Sequence, residues 1–353
     1  MDNKKLMKAS VYKGDKIFEI EEKEIPTPGP NEVLVKIKSV GICGSDMLGY
    51  LGKTQNRKPG LIFGHEASGV VAGFGENVVN WSVGDRVALF PSISCGECEY
   101  CRRGIRNMCN NSKTLGSCRK VFKHGAMCEY MIMPANNHLF KLPDNVSFDE
   151  GAFADPLGNC LHVMNRAEVK PGDVVAVIGT GSIGLIAIQT AKLSGAKQVI
   201  AVDTIDSRLE LAKNLGATEV INALNENTVD SIKRLTDGKG ADVVMNAAGN
   251  DISYKNAVFA ARKRGAIAAF GYSDPDGCLP IPSEAFLFKE LRLLGNAGMN
   301  EFEIQTMLDF VSKGLIRVDP IITHRFSLDK VTDAFELIAN NPRDAVKVMI
   351  NTD

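Results

Sequence analysis

Four cysteines stand close together in the first third of the chain, at Cys95, Cys98, Cys101 and Cys109. Short gaps between the first three let successive sulfurs turn toward one ion, and four thiolates form a complete tetrahedral set for Zn²⁺. Crowding of this kind in a reducing compartment indicates metal ligands rather than disulfides. Because four thiolates leave no position for water or substrate, the spacing predicts a structural zinc site.

A second motif, GTGSIG, directly follows the apolar run VVAVI and contains Gly179, Gly181 and Gly184, with Ser182 and Ile183 between the last two. The first glycine permits a tight turn, the second lets the backbone approach a pyrophosphate, and the third lets the next helix pack closely on the strand. The turn therefore predicts a dinucleotide site at the start of a helix.

Two charged residues bear on which dinucleotide is bound. Asp203 ends the next apolar run, where a carboxylate would accept hydrogen bonds from ribose hydroxyls and repel a 2′-phosphate. We therefore expect NAD rather than NADP, although Arg208 follows closely and keeps NADP open. From strand order alone, the ends of the later strands should line the nicotinamide end of the site, at Phe270, Gly271, Tyr272, Asn296 and Ala297.

The elements that must position these residues differ between the two halves of the chain. Residues 33 to 41 and 68 to 90 alternate apolar and polar side chains between turn residues, which is typical of half-buried strands. From residue 173 onward, short and continuously apolar runs alternate with helical patterns, which indicates a buried parallel sheet. We predict an α/β protein with a mostly β domain and a doubly wound domain.

The predicted borders follow from this change of pattern. The first domain covers residues 1–155, contains the cysteine lobe at 95–109 and is completed by the tail, residues 297–353. The dinucleotide-binding domain covers residues 156–296.

Composition narrows the class of partner. The chain has 353 residues, of which 44% are hydrophobic, and 41 basic residues balance 42 acidic ones. No global field would draw it to nucleic acid or to an anionic membrane, so the expected partners are small molecules. The sequence shows no signal-peptide pattern and no uncharged run of transmembrane length, and we therefore expect a cytoplasmic protein.

Five segments occur in a fixed order over nearly the whole chain: GICGSD, GHEASG, the four-cysteine lobe, FADPLGNCLH and GTGSIG. In this set the sequence resembles the medium-chain, zinc-containing alcohol and polyol dehydrogenases. The resemblance implies a GroES-like catalytic domain joined to a Rossmann domain, with two zinc ions per subunit, one catalytic and one structural. It also implies a homo-oligomer, a dimer or a tetramer.

Carried over by position, the resemblance implies that Cys43 and His65 are ligands of the catalytic zinc. Glu66 would be a nearby carboxylate that ligates zinc or exchanges with water. Asp155 stands where polyol dehydrogenases usually have Glu, and would bind zinc directly or through water. For both acids the alternative is hydrogen bonding that holds the domains together.

Ser45 occupies the position of the hydroxyl that, in the family, takes the alcohol proton and passes it to the cofactor ribose; its alternative role is to cap the turn. Many relatives place a His three residues later, where this chain has Leu48, so we expect the proton to leave through water. Zinc beside the substrate oxygen would make the alcohol acidic, and a hydride would then pass to NAD.

The expected substrate is a secondary alcohol: a polyol, a sugar alcohol or a vicinal diol. The segments DPLGNCLH and PIITHRF are similar to L-threonine 3-dehydrogenases, which makes threonine the alternative substrate, although Ser92 stands where that branch has His. Two other classes would differ in kind. A zinc-free quinone reductase should lack Cys43, His65 and the cysteine lobe, and a non-catalytic NAD-binding structural protein would need no open zinc position.

Overall fold

The computed structural model describes residues 5–271 and 278–353. Contacts divide the chain into two compact units, which we call the first unit and the second unit. The first unit comprises Met1–Gly158, Gly298–Gly314 and Ile321–Asp353, and the second comprises Asn159–Ala297 and Leu315–Pro320.

The division departs from the predicted one in the tail. Leu315–Pro320 belongs to the second unit, whereas the sequence pattern assigned the whole tail to the first domain. The reason is a reciprocal pair of hydrogen bonds: Arg317 N donates to Gln189 Oε1 at 2.8 Å, and Gln189 Nε2 donates to the Arg317 carbonyl at 3.0 Å. A buried amide side chain that meets both groups of one residue holds this short segment in place.

Strands dominate the first part of the described chain, and strands alternate with helices from residue 174 onward. The strands, in chain order, are β1 (Leu6–Gly14), β2 (Ile17–Glu24), β3 (Glu32–Gly41), β4 (Glu66–Phe74), β5 (Arg86–Leu89), β6 (Ser92–Ile93), β7 (Lys113–Thr114), β8 (Tyr130–Pro134), β9 (Leu139–Lys141), β10 (Val174–Ile178), β11 (Gln198–Asp203), β12 (Glu219–Asn222), β13 (Ala241–Asn246), β14 (Ala261–Ala269), β15 (Arg292–Gly295), β16 (Ile322–Ser327) and β17 (Lys347–Asn351). The helices are α1 (Gly44–Tyr50), α2 (Glu99–Arg102), α3 (Phe148–Gly151), α4 (Ala154–Ala167), α5 (Ser182–Leu193), α6 (Asp206–Asn214), α7 (Thr228–Leu235), α8 (Asp251–Ala260), α9 (Ser283–Phe288), α10 (Glu301–Ser312) and α11 (Val331–Asn340).

The first unit is built around a sheet with the order β16-β17-β3-β4-β5-β9, and β8 also pairs with β3. All of these pairs are antiparallel except β16 with β17. In β3, Val33, Val35 and Ile37 are fully buried while the residues between them are partly exposed, as the alternating sequence predicts. The tail strand β17 pairs directly with β3, so the end of the chain lies beside the start of α1.

An aromatic cluster fixes α1 against the rest of the first unit. Tyr50, the last residue of α1, lies 5.1 Å from Phe335 of α11 and 6.2 Å from Phe18 of β2, measured between ring centroids. Phe63, just before β4, meets Phe18 edge to face at 5.1 Å. Because α1 begins immediately after β3, this packing sets the direction in which its first residues point.

The second unit contains a parallel sheet with the order β12-β11-β10-β13-β14-β15. Counted from β10, this is the 3-2-1-4-5-6 order of the doubly wound dinucleotide-binding fold. Every residue of β10 is buried, as the continuously apolar run predicts. Among the described residues, none of the helices combines the length and apolarity that a membrane crossing requires.

Candidate functional site

Neighbouring strands of the first unit bring Cys43, His65 and Glu66 together. Cys43 is the N-cap of α1 just after β3, and His65 immediately precedes β4. Gly41 of β3 pairs with Glu66 of β4. Their sulfur, nitrogen and oxygen ligand atoms all lie within 4.8 Å of one another, and His65 and Glu66 are buried.

A buried carboxylate, Asp46, supports two members of this cluster. Its Oδ2 accepts a hydrogen bond from the backbone N–H of Cys43 at 3.2 Å, and its Oδ1 lies 3.5 Å from His65 Nδ1. Arg57 donates to the same Oδ1 from Nη2 at 3.0 Å and from Nε at 3.3 Å. Burial alone would raise the pKa of Asp46, but the charges of His65 and Arg57 outweigh burial and hold that pKa below its ordinary value.

The cluster fits a zinc ion. A thiol, an imidazole and a carboxylate are the donor types that zinc takes, and the three ligand atoms lie within 4.8 Å of one another. Burial would lower the pKa of His65, yet Asp46 and Cys43 raise it well above its ordinary value. A negative field that favours a proton on the ring also favours a divalent cation.

Glu66 carries an ion pair of its own within the first unit. Its carboxylate meets Nζ of Lys347 on β17, and both side chains are almost fully buried. The same ammonium donates to the Ile42 carbonyl at 3.2 Å and lies 5.4 Å from the centroid of the Phe153 ring. Gly41 leaves room for the pair, because a Cβ there would lie 2.5 Å from the Glu66 oxygen.

Asp155 and Ser45 lie close by without entering the three-residue cluster. Asp155 is in the first turn of α4, and its pKa is raised to about 6, chiefly by burial and further by Glu66, against lowering by His65 and Lys347. Ser45 is in α1, and its Oγ accepts a hydrogen bond from Arg57 Nη2 at 3.5 Å.

The four cysteines of the lobe converge on one point. Cys95 Sγ lies 3.5 Å from Cys109 Sγ and 4.0 Å from Cys101 Sγ, and Cys98 Sγ lies 3.9 Å from Cys109 Sγ. Tetrahedral ligation with zinc–sulfur bonds of about 2.3 Å separates sulfurs by about 3.8 Å. Backbone N–H groups of Cys101 and Asn110 lower the pKa of Cys98 to about 6. The lobe therefore fits a zinc ion that is closed to solvent and substrate.

The glycine-rich turn of the second unit has the geometry that its sequence predicts. Gly179 has φ +94°, a backbone conformation that side chains with a Cβ rarely adopt. A Cβ on Gly184 would lie 1.9 Å from the Gly179 carbonyl oxygen, whereas a Cβ on Gly181 would meet no atom of the described residues within 4 Å. Ser182 and Ile183 open α5 directly after Gly181, so the helix begins at open space.

Asp203 accepts hydrogen bonds from the glycine-rich turn and from the turn that follows β11. Its Oδ2 accepts from Thr180 N at 2.6 Å and from Thr180 Oγ1 at 2.7 Å. Its Oδ1 accepts from the backbone N–H groups of Thr204 and Ile205, at 2.7 and 3.2 Å. The carboxylate thus fastens the end of β11 to the glycine-rich turn. Arg208 follows in α6.

Of the residues predicted to line the nicotinamide end, those that the structure describes lie at the ends of strands of the second unit, where they contact neighbouring loops and side chains. The N–H groups of Phe270 and Gly271 both donate to the Asn246 carbonyl at the end of β13, and a Cβ on Gly271 would lie 2.6 Å from the Ala247 carbonyl oxygen. Tyr272 lies outside the described residues. Asn296 Nδ2 donates to Asn159 Oδ1 at 3.3 Å, and Ala297 is the next residue.

Several residues of the site were missed by reasoning from the sequence. Asp46 follows Cys43 at the spacing of a capping box, which is a signal that could have identified it. Thr180 lies within the glycine-rich turn, but its bond to Asp203 has no signal in the sequence. Arg57 lies in an irregular loop and Lys347 is near the end of the chain, and nothing in their spacing connects them to the cluster.

Comparison with known proteins gives the same family over most of the chain. Residues 29–144 match the model of the alcohol dehydrogenase GroES-like domain, and residues 182–313 match that of zinc-binding dehydrogenases. A sorbitol dehydrogenase of Bacillus subtilis is 32% identical over 98% of this chain and 97% of its own. An L-threonine 3-dehydrogenase of Caldanaerobacter subterraneus is 37% identical over 91% of this chain and 92% of its own.

A solved structure extends the likeness to three dimensions. A zinc-binding dehydrogenase of Sinorhizobium meliloti bound to NADP superimposes with a TM-score of 0.89 at 32% identity, and the match covers 98% of this chain and 99% of that one. These findings confirm the predicted GroES-like and Rossmann architecture, and the predicted class of oxidoreductase that uses zinc and NAD or NADP. The chain therefore belongs to the zinc-dependent, medium-chain alcohol and polyol dehydrogenase family.

Proposed function

We propose that this protein transfers a hydride between NAD and a secondary alcohol carbon of a polyol, a sugar alcohol or a vicinal diol. The observation that carries the proposal is the cluster of Cys43, His65 and Glu66, with ligand atoms within 4.8 Å of one another in a chain of this family. A zinc ion held there would make a nearby alcohol more acidic, and NAD would accept the hydride.

Cys43 and His65 would hold the catalytic zinc. Among the described residues, neither side chain is paired with a buried lysine or arginine, so the donor atoms of both are available to a metal ion. The carboxylate of Glu66 is restrained by Lys347, so it would approach the metal only as that ion pair loosens. Asp155 would act at the metal directly or through water. A raised pKa makes its carboxylate easier to protonate than an ordinary aspartate. In the lobe, Cys95, Cys98, Cys101 and Cys109 would hold the structural zinc.

Ser45 would receive the alcohol proton. Its hydroxyl both accepts and donates hydrogen bonds, and the guanidinium of Arg57 contacts its Oγ, which orients a lone pair toward the cation and frees the O–H to donate elsewhere. Leu48 offers no group that continues the relay, so the proton would leave through water.

NAD is the proposed cofactor because of Asp203. The turn of Gly179, Gly181, Ser182, Ile183 and Gly184 would bind the pyrophosphate at the N-terminus of α5. Asp203 ends β11 beside this turn, and its negative charge would accept ribose hydroxyls and disfavour a 2′-phosphate. The structural relative from Sinorhizobium meliloti binds NADP, which makes cofactor preference a measurement in its own right.

L-Threonine is the second candidate substrate, because L-threonine 3-dehydrogenases of 33–37% identity to this chain stand among its relatives beside sorbitol dehydrogenases of 32–36% identity. Threonine also carries a secondary alcohol, so the same metal chemistry would serve. We place it second because Ser92, in β6, stands where the threonine branch has His.

The test is NADH formation in metal-replete protein with a panel of sorbitol and other polyols, vicinal diols and L-threonine, with and without a chelator. Cys43→Ser should lower turnover on the order of 10³-fold, because metal-ion catalysis is worth several kcal/mol. It should also remove one zinc per subunit while NADH binding remains. Cys118→Ser is the matched control, since this half-buried thiol lies outside both clusters.

Three outcomes would change the proposal. Full activity in Cys43→Ser would disprove the ligand assignment, and a clear preference for L-threonine would select the second candidate. NADH binding without oxidation of any alcohol would favour a non-catalytic dinucleotide-binding protein.

We further propose that the protein is cytoplasmic and forms a homo-oligomer, a dimer or a tetramer. Light scattering of the purified protein would test the number of subunits.

A further inference from the structure

We propose that Arg57 is a positioning residue for the catalytic zinc, acting through Asp46 on both Cys43 and His65. The proposal rests on the function proposed above, because it assumes that these two residues hold the metal. Arg57 lies in the loop between α1 and β4, outside regular structure, yet its side chain is only 6% exposed. A buried guanidinium in a loop must have partners that compensate for its desolvation.

The partners of Arg57 converge on one carboxylate oxygen. Two of its nitrogens donate to Asp46 Oδ1, at 3.0 and 3.3 Å, and Nη1 donates to the Asn56 carbonyl at 3.4 Å. The guanidinium carbon lies 5.6 Å from the centroid of the Phe63 ring. A planar fork with these contacts on several sides is held in one orientation, and it holds Asp46 in turn.

Asp46 is the step between Arg57 and the ligands. Its Oδ2 accepts from the N–H of Cys43, which fixes the backbone that carries the thiol. Its Oδ1, the oxygen that Arg57 binds, lies 3.5 Å from Nδ1 of His65. A histidine that ligates zinc through one ring nitrogen keeps its proton on the other, and a carboxylate facing that nitrogen orients the ring. One side chain therefore aligns two ligands.

Without Arg57 this arrangement would lack its cation. Asp46 is completely buried, and without the two donors of Arg57 its Oδ1 would lose the contacts that fix its position. Asp46 would then be free to turn away from Cys43 and His65. Removal of Arg57 should therefore loosen the metal without touching any ligand.

The helix α1 is shaped around this arginine. A Cβ on Gly49 would lie 2.2 Å from Arg57 Cγ and 2.6 Å from Arg57 Cβ, which are the least adaptable atoms of the side chain. Glycine at this position thus lets the stem of Arg57 cross the helix on its way to Asp46. Any side chain at position 49 would therefore displace Arg57 from its present path.

The experiment compares zinc content and zinc release in the full-length protein and in Arg57→Met and Arg57→Lys. Release to a chromogenic chelator should show two phases in the unmodified protein, the slower one from the four-cysteine lobe. In Arg57→Met we expect the faster phase to accelerate about tenfold or more, as for other partners of metal ligands. Arg57→Lys should recover part of the loss, because an ammonium keeps the charge but not the two-nitrogen contact.

A second readout monitors geometry. With Co²⁺ in place of zinc at the faster site, the visible absorption bands of Arg57→Met should shift in position or intensity. Arg86→Met is the matched control: Arg86 lies in the same unit, donates to the carbonyls of Pro143, Asp144 and Val146, and stacks on Phe148 at 4.7 Å. It should lower thermal stability and leave the fast phase unchanged.

Unchanged zinc release and an unchanged Co²⁺ spectrum in Arg57→Met would overturn the inference. So would equal acceleration of both phases, or the same effect in Arg86→Met, because both would indicate a general loss of stability. Failure of the proposed function looks different: Cys43→Ser would then keep both zinc ions. If Arg57→Met does not fold, Arg57→Lys decides by the same two readouts.

Discussion

Two buried acids beside the proposed zinc ligands are each paired with a cation from outside their own helix or strand. Asp46 is paired with Arg57 from a loop, and Glu66 with Lys347 from the last strand. These pairs keep the local negative charge low. That matters for catalysis, because a cation surrounded by uncompensated carboxylates would be a weaker Lewis acid. In the proposed site, the residues around the ligands would therefore set both the position of the zinc ion and its strength as a Lewis acid.

The Glu66–Lys347 pair leads to a prediction about stability. Lys347→Met should lower the free energy of unfolding by about 3–5 kcal/mol, because it leaves a buried carboxylate without its cation. The midpoint and slope of urea denaturation would measure the loss.

The double variant Lys347→Met with Glu66→Gln is the control for this prediction. It removes both charges, so it should recover most of the stability that the single variant loses. A double variant as unstable as Lys347→Met alone would mean that Lys347 stabilises the fold through its stem, packed near Phe153, and not through its charge.

At the scale of elements, the turn between β10 and α5 contains two glycines with different proposed roles, one in folding and one in cofactor binding. Gly184 is required by the chain itself, since a Cβ would strike the Gly179 carbonyl. A Cβ on Gly181 would meet none of the described atoms within 4 Å, so the fold itself leaves room for a side chain there, and we propose that the glycine is needed for the cofactor. Asp203 then ties the turn to the neighbouring strand through Thr180.

We expect Gly181→Ala and Gly184→Ala to have opposite effects. Gly181→Ala should leave the melting temperature within a few degrees of the unmodified protein and weaken NADH binding about tenfold or more, because a methyl group would occupy the space of the pyrophosphate. Gly184→Ala should lower the melting temperature markedly, because strand and helix must separate to admit it.

Thermal unfolding and NADH fluorescence titration measure the two effects independently. Gly44→Ala is the control, because Gly44 lies in the first unit and a Cβ there would meet none of the described atoms within 4 Å. Gly172→Ala is unsuitable, because the φ of Gly172 is +93°. Normal NADH affinity in Gly181→Ala would contradict the proposed path of the cofactor over this turn.

For the whole molecule, the two metal clusters differ in how closed they are. Four sulfurs already at tetrahedral spacing leave no vertex for a competing ligand, whereas the cluster of Cys43, His65 and Glu66 supplies three donors. The first should behave as part of the fold and the second as an exchangeable site. Function and stability would then depend on different ions.

A mild chelator should therefore remove one zinc per subunit and all alcohol oxidation, with little change in the unfolding midpoint, and added zinc should restore activity. Cys98→Ser should instead lower the midpoint or disturb assembly while NADH binding remains. Metal analysis, activity and light scattering on the same samples would check this. Simultaneous loss of both ions with the first equivalent of chelator would contradict the distinction.

The local features of this protein could be predicted from its sequence. The lobe from Cys95 to Cys109 and the turn from Gly179 to Gly184 each lie within a short segment, where spacing nearly dictates which atoms meet. The doubly wound parallel sheet, with strands at the positions of β10, β11, β13 and β14, was predicted from the alternation of apolar runs and helical patterns. Cys43 and His65 were predicted to be zinc ligands from the order of the family's motifs along the chain, because their own spacing is not diagnostic.

Only the tertiary structure decided the partners of the buried charges. Nothing local connects Glu66 to Lys347 or Asp46 to Arg57; the first pair meets because β17 joins β3 beside β4, and the second because a loop folds back over α1. The same holds for Leu315–Pro320, which a reciprocal bond to Gln189 draws into the second unit. Hydrophobic periodicity specifies which face of an element is buried, but a contact between distant segments depends on which elements become neighbours, and periodicity does not encode that.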